Sequence, residues 1–254
     1  MELDGKVVIV TGGGRGIGAA TAELAASRGA KVVIGDINDE WGESTVKDIK
    51  GKGFDVSFTH VDVSDESSVE AMFKFAVDTY GKVDGIVNNA ATIVVKSAEY
   101  ITAEEWARVI GVNLTGVFYG SKHAILQFKK QGSGGSIVNM GSISAVVGLP
   151  EQAVYCASKG GVFQLSRQIA IDYAAQNIRC NTVGPGSVKG DFLDIYINNQ
   201  SDPTTAREAI IGNHPISRLA SPFEIGEAIV FLLSDRSSFV TGANLQADGG
   251  YSAI

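Results

Sequence analysis

Tyr155 and Lys159 stand four residues apart in the run Tyr155-Cys156-Ala157-Ser158-Lys159. In a helix that spacing puts both side chains on one face, one turn from each other. A free tyrosine titrates near pH ~10 and is a poor base at neutral pH. An ammonium held beside it stabilises the phenolate and lowers that value. Ser142 adds a third group, because it follows the strand-like run Ser136–Met140 and its hydroxyl can hold a substrate oxygen beside the phenol. Alone, a Tyr and a Lys one turn apart also describe an ordinary amphipathic helix face. Their weight comes from what converges on them.

The second chemical feature is Thr11-Gly12-Gly13-Gly14-Arg15-Gly16-Ile17-Gly18, which follows the apolar run Lys6–Thr11 and opens a helix-like stretch. Glycines there let the backbone turn tightly and approach a pyrophosphate. The following helix points its unpaired N–H groups and positive dipole end at the phosphates. Asp36 ends the next strand-like run, where a carboxylate can accept hydrogen bonds from adenosine ribose hydroxyls. It also repels a 2′-phosphate, at a cost of about 1–4 kcal/mol for like charges 4 Å apart. Arg15 pulls the other way, since a guanidinium can pair with a phosphate. The residue after Asp36 is Ile37, not a base. The balance favours NAD over NADP.

The elements that position these groups alternate. Strands are expected at Lys6–Thr11, Lys31–Asp36, Asp55–Val61, Val83–Asn88, Ser136–Met140, Arg179–Val183 and Ala243–Ala247. Their β-branched content marks them as buried. Helices are expected at Ile17–Arg28, Asp39–Lys52, around Ser67–Tyr80 and at Ala153–Ala175. The box Thr102-x-x-Glu105 starts one long helix towards Gln131, and Ser221-Pro222-Phe223-Glu224 starts another to about Leu233. Such alternation implies βαβ units and a doubly wound, mostly parallel α/β sheet of the Rossmann type. Length fits a single domain over residues 1–254. Ligands of that architecture sit at the carboxyl ends of the strands. The glycine turn, Ser142 and Tyr155/Lys159 then fall at one end of one sheet.

Composition excludes other classes. The chain is 44% hydrophobic and 19% charged, which reads as globular. A net charge of -7 repels phosphate backbones, so no nucleic-acid partner is expected. His60, His123 and His214 lack metal-ligand spacing, so no metal is expected. Two cysteines, Cys156 and Cys180, suit a reducing compartment. The N-terminal residues do not read as a signal peptide and no long apolar run spans a membrane, so the cytoplasm is the expected location.

Together these motifs resemble the short-chain dehydrogenase/reductase family. The likeness also rests on Asp62-Val63, Asn88-Asn89-Ala90, Asn113 and Pro185-Gly186, and spans most of the chain. The resemblance implies that Tyr155 is the general acid/base. It implies that Lys159 lowers its pKa and binds the nicotinamide ribose, that Ser142 orients the carbonyl, and that Asn113 holds a water in a proton relay. By the same resemblance Asp62 and Val63 line the adenine, Asn89 and Ala90 lie near the adenosine ribose, and Val188 meets the carboxamide. A homotetramer is also implied, with Thr102–Gln131, Ala153–Ala175 and the end near Tyr251–Ile254 against their copies. Three positions depart from the family pattern: Ala91 replaces a glycine, Gly190 a threonine and Cys156 a serine.

Residues Gly190 to Leu219, with Phe192, Leu193, Ile195, Tyr196 and Ile197, lack a repeating core pattern and read as a substrate lid. Thr92, Ile93, Val94, Ile143, Ser144, Val146, Leu149 and Gln152 are candidates for the substrate wall. No arginine clamp for an anion is evident, although Arg207 and Lys96 stay open. The expected substrate is a neutral secondary alcohol or ketone. Polyols, sugars and 3-oxoacyl thioesters are the alternatives.

Overall fold

Val7–Thr11 (β1), Lys31–Asp36 (β2), Val56–His60 (β3), Gly85–Asn88 (β4), Gly135–Met140 (β5), Ile178–Pro185 (β6) and Asn244–Ala247 (β7) form one sheet in the computed structural model, which describes residues 1–253. The strand order is β3-β2-β1-β4-β5-β6-β7, and every neighbouring pair is parallel. This is the doubly wound α/β architecture that the alternating pattern predicts. The order reverses between β1 and β4, where crossovers leave in opposite directions and open a crevice.

Successive side chains of a strand face opposite ways, so each strand feeds two cores. Val8, Val10, Val32, Ile34, Val87 and Val138 face one side with Gly16–Ser27 (α1), Asp39–Gly51 (α2) and Pro222–Leu233 (α9). Ile9, Val33, Ile86, Ile137, Ile178 and Cys180 face the other with Glu66–Tyr80 (α3), Gly116–Gln131 (α5) and Ala153–Tyr173 (α6). Both expected capping boxes form with both of their hydrogen bonds, Thr102 with Glu105 and Ser221 with Glu224.

The long helix expected from Thr102 is broken in register. Ala103–Ile110 (α4) passes through a π-helical turn, Gly111–Thr115, before α5 begins. Such turns concentrate at functional sites. This one carries the fully buried Asn113. The 190–219 segment is not a bare loop either: it folds as Asp191–Asn198 (α7) and Pro203–Gly212 (α8), with Ile197 buried.

The carboxyl ends of β4 and β5 are joined through buried amides. Asn88 Nδ2 donates to Asn139 Oδ1 at 2.8 Å and to Ser121 Oγ at 3.3 Å, and Asn139 Nδ2 donates to Ser166 Oγ at 2.8 Å. Helix α5 approaches this network at Gly120, where an added Cβ would lie 2.0 Å from Asn88 Oδ1. Gly120→Ala is therefore expected to lose about 1–3 kcal/mol of stability by overpacking. A lower urea midpoint at unchanged m-value checks this; an unchanged midpoint contradicts it.

Candidate active site

The glycine turn sits where β1 and β4 diverge. Thr11 Oγ1 donates to Val87 O at 3.3 Å and accepts from the main-chain N–H of Asn89 and Ala90 at 3.0 and 3.2 Å. Asn89 Nδ2 donates to Thr11 O and Gly12 O at 2.9 and 3.0 Å. Gly12, at φ +61, lies so close to the neighbouring loop that a Cβ would meet Ala90 Cα at 2.8 Å. Gly16, at φ +58, has nothing within 4 Å of such a Cβ, so the outer side of the turn stays open. Gly18 brings α1 against the turn, its Cβ position 2.0 Å from Gly12 O.

Side chains cap most helices here: Asn38, Asp65, Thr102, Asp202 and Ser221 cap α2, α3, α4, α8 and α9. Helix α5 continues from the π-turn without a side-chain cap; of the helices that start afresh, α1, α6 and α7 also lack one, and their N-cap residues, Arg15, Gln152 and Gly190, all line one crevice. That crevice has a volume of about 960 Å³. An open glycine turn and an uncapped helix end fit a dinucleotide pyrophosphate. Buried Asp36 closes the crevice beside the glycine turn. Its Oδ2 accepts from Gly14 N at 2.9 Å and its Oδ1 from Asn38 N at 3.0 Å, which leaves lone pairs for ribose hydroxyls.

Arg15 makes contacts on both sides of the turn. Its guanidinium lies 3.7 Å from the centre of the Trp41 ring, and Nη1 pairs with Asp191 Oδ2 at 2.5 Å. It ties the turn to α7. Nothing in the local sequence links residues 15 and 191.

Across the crevice, α6 presents Tyr155 and Lys159, 8% and 2% exposed. Lys159 Nζ donates to Met140 O, the last carbonyl of β5, at 2.7 Å and lies 5.6 Å from the centre of the Tyr155 ring. Ser142 Oγ donates to Ser144 Oγ at 3.1 Å and accepts from Ser144 N at 3.1 Å. Hydroxyl protons rotate, so this pair can reverse and free the Ser142 proton. Phe192 of α7 packs on Tyr155 with ring centres 5.6 Å apart. Helix α7 thus rests on the phenol.

Burial pushes the Tyr155 phenol above its ordinary value, and the nearby Ser142 hydroxyl pulls back only in part. Burial also brings Lys159 down to about 8. The sequence led us to expect that the ammonium would hold the phenol low. In the chain by itself desolvation outweighs it.

Asn113 is committed. Its Oδ1 accepts from Thr92 N at 2.8 Å, and its Nδ2 donates to Thr92 O and Ser158 Oγ at 2.9 and 3.2 Å. The π-turn thereby clasps the loop after β4 to α6. Of the residues singled out from sequence, Asn113, Gly14 and Gly18 lie behind the crevice wall. Gly12, Arg15, Gly16, Ile17, Asp36, Ile37, Asp62, Val63, Asn89, Ala90, Pro185, Gly186 and Val188 line it, as do Ser142, Ser144, Gln152 and Phe192. Among the wall candidates, Val94 turns instead into a small core with Val109 and Val154, and Val146 faces solvent. Arg207 and Lys96 pair with Asp194 and Glu105, outside the wall. Tyr251 lines the crevice and meets His214 edge-on; Ile254 lies outside the described residues.

Sequence reasoning missed His214. Its Nε2 accepts from Ser187 N at 3.0 Å and its Nδ1 bonds Ile210 O at 2.7 Å, which fixes the tautomer and anchors the Pro185–Val188 loop to α8. A lone histidine between Asn213 and Pro215 carries no local signal of that. The described residues hold no group of His, Cys, Asp or Glu side chains arranged for a metal.

The buried lysine sets a pH dependence. Unfolded, Lys159 returns to 10.5 from about 8. Between these values the unfolded chain binds more protons, so native stability rises with pH and bears the full penalty below 8. Tyr155 acts oppositely, but only above about pH 10, where the unfolded phenol ionises first. The stability of the parent relative to Lys159→Met is therefore expected to rise by about 2–3 kcal/mol between pH ~8 and ~10. Chemical denaturation across that range checks this, and a constant difference contradicts it.

Comparison with known proteins agrees with this geometry. A family model described as Enoyl-(Acyl carrier protein) reductase matches residues 12–252. The 2,5-dichloro-2,5-cyclohexadiene-1,4-diol dehydrogenase of Sphingobium indicum is 40% identical, covering 100% of this chain and 99% of that one. The NADP-dependent (R)-specific alcohol dehydrogenase of Lentilactobacillus kefiri is also 40% identical, over 99% and 98%. The crystal structure of gox2181 superposes with a TM-score of 0.94 at 32% identity, over 100% and 98%. The chain belongs to the short-chain dehydrogenase/reductase family, whose members bind a nicotinamide dinucleotide.

Proposed function

We propose that this chain is an NAD-dependent oxidoreductase that interconverts a secondary alcohol and a ketone, with Tyr155 as its acid/base. The observation that carries this reading is the placement of Tyr155, Lys159 and Ser142 on the same crevice as the open glycine turn. When bound there, the nicotinamide ring supplies or takes the hydride. The chain's own residues handle the oxygen. Ser142 and Tyr155 hold it between two hydroxyls. In ketone reduction Tyr155 Oη gives its proton to the carbonyl oxygen; in alcohol oxidation it takes the hydroxyl proton. A phenol held neutral by burial suits the first direction, and rising pH favours the second. Lys159 passes a proton back to the phenolate after reduction, and its neutral form takes one from the phenol before oxidation. The Asn113 side chain has its partners already, with Thr92 and Ser158, so it acts in this reading by holding the loop after β4 to α6.

Two features support NAD over NADP: the buried Asp36 carboxylate beside the glycine turn would repel a 2′-phosphate, and the nearby cation, Arg15, is paired with Asp191. The NADP-dependent relative gives the opposite outcome its place in the test. The wall of Ile93, Ile143, Leu149, Phe192 and Ile195 is apolar, which suits a neutral substrate and stands against an acyl-thioester bearing phosphates. The names of the two relatives, a cyclic diol dehydrogenase and an alcohol dehydrogenase, support the same class. Free thiols at Cys156 and Cys180 suit the cytoplasm. No helix among the described residues is long and apolar enough to cross a membrane.

The test is a panel of secondary alcohols and ketones read at the NADH absorbance band, run with NAD and with NADP. Turnover with NAD, lower efficiency with NADP, and loss of turnover in Tyr155→Phe with NADH binding retained are expected. Normal turnover in Tyr155→Phe contradicts the role of the tyrosine.

The homotetramer is likewise a proposal. Exposed Trp106, Phe118 and Leu126 along α4 and α5, and Ile171 on α6, are apolar surface that association would bury. Light scattering is expected to give four times the mass of the 254-residue chain; a monomer mass contradicts it.

A further inference from the structure

Ser142 and Ser144 hold more hydroxyl protons between them than the protein has acceptors for. Ser142 is the N-cap of a single 3-10 turn, Ile143–Ala145, and its Oγ accepts from Ser144 N at 3.1 Å. Main-chain bonds fix the turn. Ala145 N donates to Ser142 O at 3.1 Å, Val146 N to Ile143 O at 2.9 Å, and Gly141 N to Val183 O of β6 at 2.8 Å. The two hydroxyl oxygens stand 3.1 Å apart, and both side chains are buried. With the backbone held, the freedom left to the pair is rotation of its hydroxyl protons.

Each arrangement leaves one proton over. When Ser142 Oγ donates to Ser144 Oγ, the Ser144 proton has no acceptor among the described residues, although Ser144 is only 4% exposed. When Ser144 donates to Ser142 instead, the Ser142 proton is the one left over. A buried hydroxyl without an acceptor is unfavourable, so such a proton calls for a partner. Both serines line the crevice, and a ligand oxygen there can accept it.

The position of Tyr155 selects between the two arrangements. The Ser142 hydroxyl is near enough to the phenol to act on its titration, so an oxygen held by Tyr155 falls to Ser142. Ser142 Oγ then accepts from Ser144 N and from Ser144 Oγ, and it donates to the substrate oxygen. Both lone pairs and the proton are used. Chains of hydrogen bonds polarise one another, so a hydroxyl whose oxygen accepts two of them is the stronger donor. Negative charge grows on a ketone oxygen as hydride arrives at its carbon. The added donor strength therefore counts for more in the transition state than in the bound ketone.

We infer that Ser144 is a positioning residue for the reaction: its hydroxyl turns to donate to Ser142 when a substrate oxygen arrives, and so aims the Ser142 proton at that oxygen. This rests on the alcohol–ketone reading above and adds to it a group that acts through Ser142.

The ketone panel above, with cyclohexanone, acetophenone and butan-2-one in it, first gives the ketone that the parent reduces fastest. Hydride transfer from NADH to that ketone is then read in single turnovers, together with KM, for the parent, Ser144→Ala, Ser144→Thr, Ser142→Ala and the double alanine variant. Ser144→Ala is expected to slow hydride transfer by about three- to tenfold, the size of one hydrogen bond, with KM for the ketone and NADH affinity near those of the parent. Ser144→Thr keeps the hydroxyl and should recover most of the rate. In the Ser142→Ala background the loss of the Ser144 hydroxyl should cost nothing further, whereas a role in folding alone would cost the same in both backgrounds. An unchanged or faster rate in Ser144→Ala, no recovery in Ser144→Thr, or an equal loss in both backgrounds each overturns the inference and leaves the alcohol–ketone reading intact. A parent inactive across the whole panel overturns both.

Discussion

Thr11 and Asn89 stitch together the carboxyl ends of β1 and β4, the neighbouring strands from which the chain crosses the sheet in opposite directions. Two strands that part their following helices leave a gap, and a gap in a protein interior must be lined by groups that need no further partner or that await one. Glycines at 12 and 18 let the two sides close to contact, while Gly16 leaves the outer side open. Asp36, at the end of the adjoining strand β2, is held by Gly14 N and shapes the far end. The pyrophosphate end of the crevice follows from these few close approaches.

The opposite wall depends on burial. Tyr155 and Lys159 are both taken out of water, and burial drives each towards its neutral form: the phenol up and the ammonium down. Neither shift comes from their pairing. The hydrogen bond from Lys159 to Met140 O and the contact of Phe192 with the Tyr155 ring keep the pair in that environment. Helix α7 therefore helps to keep the phenol out of water. Arg15, between Trp41 and Asp191, fastens the same helix to the glycine turn.

Much of this was legible in the sequence because it rests on local rules. The β-branched runs gave the strands, alternation gave the parallel sheet, and the two boxes at Thr102 and Ser221 gave helix starts that form as expected. What stayed hidden depends on register or on distance along the chain. A π-turn shifts phase by a single residue, too little to disturb the apolar pattern through Gly111–Thr115, so the inward turn of Asn113 left no trace. Val94 and Ile93 are equally apolar, and only the path of the backbone sends one to a small core and the other to the crevice. The partners of Arg15 and His214 come from remote segments. The direction of the Tyr155 shift needed the burial of its ring, which spacing to Lys159 cannot supply.

The proposed function requires that the crevice seat a dinucleotide at one end and a carbinol oxygen at the other, with the carbinol carbon against the nicotinamide ring. The direct measurement is the fate of that carbon's hydrogen. A secondary alcohol that the protein oxidises, deuterated at the carbinol carbon, is incubated with NAD, and the reduced cofactor is recovered and analysed by mass spectrometry. Deuterium carried into the cofactor, one atom for each ketone formed, is the predicted result. Ketone formed with no deuterium in the recovered cofactor would contradict hydride transfer between the two ends of the crevice.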